Sequence, residues 1–162
     1  MELVKDIQIF YFWDVNSGEL SPTFNRIKEV FSNTQLLKFN FLEYDKAYKE
    51  VESFLRNQTL DDLQTVFIGS GLGGYWANLF CSVFGIQTIL INPSLRPSDI
   101  SIRIYPRVVF IGLQDKVVNY QETKKVLGNN ARFIFLPYEG HELKNVQPVL
   151  DLIPKFVNTV SG

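Results

Sequence analysis

A chain of 162 residues, 46% hydrophobic and 20% charged, has the size and balance of one globular domain with a full core, read here as a single domain over 1–162. Its formal net charge of −1 gives no electrostatic reason to expect nucleic acid or an anionic membrane as a partner. No segment approaches the roughly 20 apolar residues of a membrane-spanning helix, and Met1-Glu2-Leu3 brings an early acid instead of a signal-peptide core. Together these predict a soluble, cytoplasmic protein.

Ile7 to Trp13 reads as the first strand. A helix then opens with Ser21 as N-cap and Pro22 at its first position, with Phe24, Ile27, Val30 and Phe31 on one face. Leu36 to Leu42 is expected to be the second strand, and Ala47, Val51, Phe54 and Leu55 mark the buried side of a second helix. Thr65 to Gly69 is short and almost wholly apolar, as suits a central strand, and it runs straight into glycines. Leu72 to Phe84 reads as a helix. The single Cys81 within it excludes an internal disulfide and reads as a buried apolar group. Strands follow at Thr88 to Ile91, Arg107 to Gly112 and Arg132 to Leu136. A terminal helix from Val146 carries an early Pro148, which is tolerated, and Pro154, which predicts a break or kink. Strands alternating with helices predict an α/β fold, a three-layer sandwich with a mostly parallel central sheet.

The segment Gly69-Ser70-Gly71-Leu72-Gly73-Gly74 makes a sharp turn from strand to helix. In a nucleophile elbow, Gly-x-Ser-x-Gly, the tip residue is a serine held on strained backbone. Here the tip is Gly71, which relaxes the turn and removes the nucleophile together. Gly69, Gly71 and Gly74 also match the dinucleotide pattern Gly-x-Gly-x-x-Gly. That pattern belongs to the first strand of its domain and needs an acid about 20 residues on, whereas this turn follows the third strand. The next strand ends at Asn92, and the first acid is Asp99, beyond two prolines. Close helix–sheet packing explains the glycines without a ligand. The residues call for no cofactor and no metal.

Asp115 follows the strand ending at Gly112, and His141, the only histidine, lies in the loop after the last strand. Turn, acid and histidine come in the chain order of α/β-hydrolase triads, where the acid orients the imidazole and the histidine takes the nucleophile's proton. The plain alternative is that Asp115 caps a helix and His141 is an ordinary loop residue. The pair is expected to meet near the glycine turn.

Four stretches carry a family resemblance: Tyr11-Phe12-Trp13-Asp14-Val15-Asn16-Ser17, Gly69 to Ala77, Asn92-Pro93-Ser94-Leu95-Arg96-Pro97, and His141-Glu142-Leu143-Lys144-Asn145. With these the chain resembles the small esterase-like proteins of the YqiA/YcfP-like group, closest to the YcfP-like branch. The resemblance implies a lidless α/β-hydrolase fold and an ester or thioester as ancestral substrate. It also implies that glycine at the tip is a property of the branch. The family's His-Gly pair, which helps form the oxyanion hole, falls on Trp13-Asp14 here. A carboxylate at Asp14 would oppose an oxyanion unless it points away.

The leading functional expectation is a catalytically degenerate, esterase-like protein that binds a small acyl or anionic ligand, or a protein partner, through Gly71, Leu72 and Asp14. The Leu72 N–H opens a helix and suits a carboxylate or phosphate, with His141 as a further contact. The alternative is an active ester or thioester hydrolase with Ser70 as nucleophile, His141 as base and Asp115 as orienter. Against it, strand alternation should aim Ser70 away from the tip. Ser94 is a weaker candidate between prolines. Tyr75 and Trp76 are contact residues only if exposed, and aromatic residues facing a sheet are expected in the core.

Overall fold

The computed structural model describes residues 7–96 and 106–161, with side chains through residue 157; Met1 to Leu3, Pro97 and Asp99 lie outside that range. The elements in chain order are β1 (Gln8–Asp14), α1 (Pro22–Val30), β2 (Thr34–Phe39), α2 (Tyr44–Arg56), β3 (Thr65–Ser70), α3 (Leu72–Phe84), β4 (Thr88–Ile91), β5 (Arg107–Gly112), α4 (Tyr120–Leu127), β6 (Arg132–Leu136) and α5 (Gln147–Ser161). The strands form one parallel sheet in the order β2-β1-β3-β4-β5-β6. The order reverses between β1 and β3, so the crevice beyond their carboxyl ends is where a parallel α/β sheet places its ligand.

Side-chain alternation along the strands divides the core into two layers. Phe10, Phe12 and Phe67 point to one face and pack with Ala47, Val51, Trp76, Phe80, Val126 and Leu127, so α2, α3 and α4 cover that face. Ile9, Tyr11, Val66 and Ile68 point to the other and meet Phe24, Ile27, Ile153 and Phe156 of α1 and α5. A three-layer α/β sandwich results.

The elements depart from the sequence reading in places. β2 stops at Phe39 because the Asn40 side chain accepts from Leu42 N at 3.1 Å and starts a 3-10 turn, which leaves Leu42 84% exposed. Val30, expected on the buried face of α1, is exposed at the helix end. α5 runs through Pro154 without the expected break. Val149, Leu150, Ile153, Phe156 and Val157 bury one face of this helix, and that packing offsets the single backbone bond a proline deletes.

α3 lies unusually close to the sheet. A Cβ on Gly73 would run into the carbonyl of Phe12 on β1, and one on Gly69 would run into the carbonyl of Gly73. Backbone-to-backbone contact of this kind leaves room for glycine alone. These glycines therefore have a packing reason that needs no bound dinucleotide.

Candidate functional site

Gly71, between β3 and α3, has φ 56° and ψ −127°, a region that side chains with a Cβ rarely enter. The turn is pinned on both sides. Gly71 N donates to Ile91 O at 3.1 Å, and Gly71 O accepts from Ser94 N at 2.8 Å and Gly74 N at 3.0 Å. A Cβ built on Gly71 would lie 3.3 Å from His141 Nε2. The imidazole thus faces the place where a nucleophile side chain would begin.

Asp115 and His141 meet as expected, with Nδ1 2.9 Å from Asp115 Oδ2. Asp115 is 4% exposed at its side chain and His141 27%. A carboxylate only accepts, so this contact fixes a proton on Nδ1 and directs Nε2 at the glycine tip. The other carboxylate oxygen accepts from Val117 N at 2.7 Å and Val118 N at 3.1 Å, which anchors the acid on its own loop. The cap of α4 is Asn119, not Asp115.

A cavity of about 20 Å³ lies beside the turn, lined among others by Tyr11, Trp13, Ser70, Gly71 and His141. A volume of this size holds a single water or one ligand oxygen. Ser70 reaches it, contrary to the expectation that alternation would carry its side chain away. The reason is that Gly71 is not extended, so the alternation of β3 does not continue through the tip. The Ser70 hydroxyl is 3.1 Å from the Tyr11 hydroxyl, and among the described residues no hydrogen bond joins it to His141. Burial pushes the Tyr11 phenol above its ordinary value, against the lowering effect of its hydrogen bond to Ser70. A phenol so held keeps its proton and is no base for Ser70.

This raised value has a consequence for alkaline stability. The native state keeps a proton that the unfolded chain releases above about pH 10, so Tyr11's contribution is complete below that pH and is lost as pH rises through the folded value. Tyr11→Phe is expected to make the fall in stability above about pH 10 shallower, as read by urea unfolding at each pH.

Asp14 corrects the sequence reading. It follows Phe12 on the α3 side of β1, opposite Tyr11 and Trp13, and its carboxylate is completely buried. Trp76 Nε1 donates to one oxygen at 2.7 Å, and Asn16 N and Nδ2 donate to the other at 2.8 and 2.9 Å. It is structural, turned away from the cavity, and neither binds there nor opposes negative charge there. Ser94 meets the turn through its backbone and does not line the cavity. Tyr75 and Trp76 are core residues, 4% and 0% exposed. Leu72 opens α3, where a helix presents its unbonded N–H groups.

Two site residues escaped the sequence reading. Tyr11 looked like one apolar strand position among several. Asn92, read there as the missing acid and as part of a family stretch but given no role at the site, sits at φ 42° just after β4 and bonds the histidine loop. An asparagine before a proline at a strand end was the available signal.

Residues 24–102 match the model of an uncharacterised protein family, UPF0227. The protein YcfP of Escherichia coli O9:H4 (strain HS), described as a UPF0227 protein, is 25% identical over 131 residues, covering 67% of this chain and 72% of YcfP. Over these stretches the chain is similar to UPF0227 proteins. A UPF0227 protein of Shewanella loihica is 32% identical over 95 residues, 57% of this chain and 53% of its own. The chain thus spans about half the length of that relative. Among solved structures, MGS-MChE2, an α/β-hydrolase enzyme from lagoon-sediment metagenome, superposes with TM-score 0.74 at 13% identity over 98% of this chain and 93% of its own. Est1E from Butyrivibrio proteoclasticus does so at 0.67 and 13%, over 95% and 87%. The fold is that of the α/β hydrolases. No described helix is long and apolar enough to cross a membrane.

Proposed function

We propose that this chain is a catalytically degenerate hydrolase-fold protein that binds a small acyl or anionic ligand at the Gly71 turn. The observation that carries this reading is an intact His141–Asp115 pair aimed at a tip with no side chain. Two donors support an oxygen-bearing ligand head group. One is the Leu72 N–H at the start of α3. The other is the Trp13 indole N–H, which is buried without an acceptor among the described residues. The 20 Å³ cavity admits little beyond one oxygen, so the rest of a ligand would lie over the carboxyl edge of the sheet. Exposed Val15, Leu42, Leu113, Val117 and Tyr138 all follow strand ends on that edge and suit an acyl chain.

Titration of the purified protein with acetate, butyrate and octanoate, followed through the imidazole signals of its lone histidine, tests the reading. Affinity is expected to rise with chain length and to fall about tenfold in His141→Ala, a loss typical of one hydrogen bond to a charged group, with calorimetry reading the variant. Carboxylates that leave His141 unmoved, or bind the variant as well, would sink the proposal. A second reading, an esterase using Ser70, is favoured by the one fact that Ser70 and His141 line the same cavity. Wild-type hydrolysis of short p-nitrophenyl esters that disappears in Ser70→Ala would establish it.

A further inference from the structure

We infer that Asn92 is the positioning residue of the site, whose side-chain amide sets where His141 stands relative to the Gly71 turn. Asn92 is 1% exposed, and its side-chain bonds run to the end of β5 and to the loop that carries His141. Its Nδ2 donates to Gly140 O at 2.9 Å and to His141 O at 3.0 Å, while its Oδ1 accepts from Gly112 N at 2.8 Å. Two carbonyls on one side and an N–H on the other admit a single orientation of the amide. One side chain therefore joins the end of β4, the end of β5 and the histidine loop. The same segment holds the opposite wall of the site. Ser94 N donates to Gly71 O, and Gly71 N donates to Ile91 O just before Asn92. The turn Asn92-Pro93-Ser94 thus grips the tip through its backbone and the histidine through its side chain.

The backbone supports this assignment. Asn92 is the only non-glycine residue with positive φ among the described residues, and asparagine tolerates that region better than other side chains. A glycine would suit the backbone better, so the side chain is what the position retains. Gln114 N also donates to Glu139 O at 2.9 Å, and Glu139 caps Lys144 N and Asn145 N. Those bonds order the loop to either side of His141; the bonds from Asn92 are the ones that reach the histidine's own peptide.

The inference rests on His141 being the working group of the site, but its test needs no ligand, so its failure and the failure of the binding proposal are separable. Asn92→Gly keeps the φ and deletes the amide; Asn92→Asp keeps an acceptor for Gly112 N and deletes both donors. Both are expected to remain folded by circular dichroism yet to lose the low-field Nδ1–H proton signal of His141 that the Asp115 bond produces in the wild type. A folded Asn92→Gly with that signal unchanged overturns the inference. Should neither variant fold, wild-type exchange decides. The Asn92 side-chain protons should exchange about tenfold or more slowly than those of exposed Asn25 and Asn129, as a buried hydrogen bond requires, and equal rates overturn the inference.

Discussion

Gly71→Ser is expected to raise the hydrolysis of short p-nitrophenyl esters by about two orders of magnitude over the wild type, the lower end of what a positioned general base supplies. The geometry is nearly prepared for it. His141 Nε2 lies 3.3 Å from the place of the new Cβ and Nδ1 is held by Asp115, so a serine hydroxyl would fall within reach of an oriented base. That contact is a few tenths of an ångström too tight, and His141, 27% exposed, has room to withdraw. The Leu72 N–H would face the developing oxyanion, and with fewer donors than a full oxyanion hole the gain should stay modest. A Cβ at φ 56° costs about 1–3 kcal/mol, so the variant should also melt earlier than the wild type. The decisive comparison is Gly71→Ser against Gly71→Ser/His141→Ala in one assay. Activity that appears and then vanishes places the histidine opposite the tip, whereas a folded Gly71→Ser no better than wild type would mean the pair is not poised for acyl transfer.

The sheet was legible because periodicity is a local property. β4, β5 and β6 and the helix over α3 fall where their apolar runs predict, and the chain order of turn, acid and histidine foretold that Asp115 and His141 meet. What stayed hidden depends on direction in space. Asp14 was read as a threat to the oxyanion site because it sits at the right place in the chain, but one step of strand alternation turns it to the α3 face and into the grip of Trp76. Ser70 was read as pointing away by the same rule, which fails where Gly71 leaves extended backbone. Asn92 was invisible as a site residue because its partners, Gly112 and Gly140, lie 20 and 48 positions along the chain. Leu42 was taken for strand because its apolarity says nothing of the side-chain cap from Asn40 that ends β2.

Gly73→Ala is expected to be the most damaging single-methyl change in the chain, lowering stability by at least about 3 kcal/mol or abolishing folding. The added Cβ would fall on the Phe12 carbonyl, within 3.3 Å of Trp13 Cα as well, so every neighbour that would have to yield is backbone. Neither side can move cheaply. Phe12 lies in β1, paired to β2 and β3 on either side, and α3 is fixed by Trp76, Ala77 and Phe80 in the core. A shift of α3 large enough to admit the methyl would also disturb the Trp76–Asp14 bond at 2.7 Å, leaving a buried carboxylate short of a donor. Urea unfolding of Gly73→Ala beside Gly18→Ala separates close approach from glycine loss as such. Gly18 has positive φ but nothing within 4 Å of its Cβ position, so it should lose only the strain of that backbone, about 1–3 kcal/mol at most. If Gly73→Ala proves no worse than Gly18→Ala, α3 has freedom to retreat from the sheet, and the glycines at this turn would then require a reason other than packing.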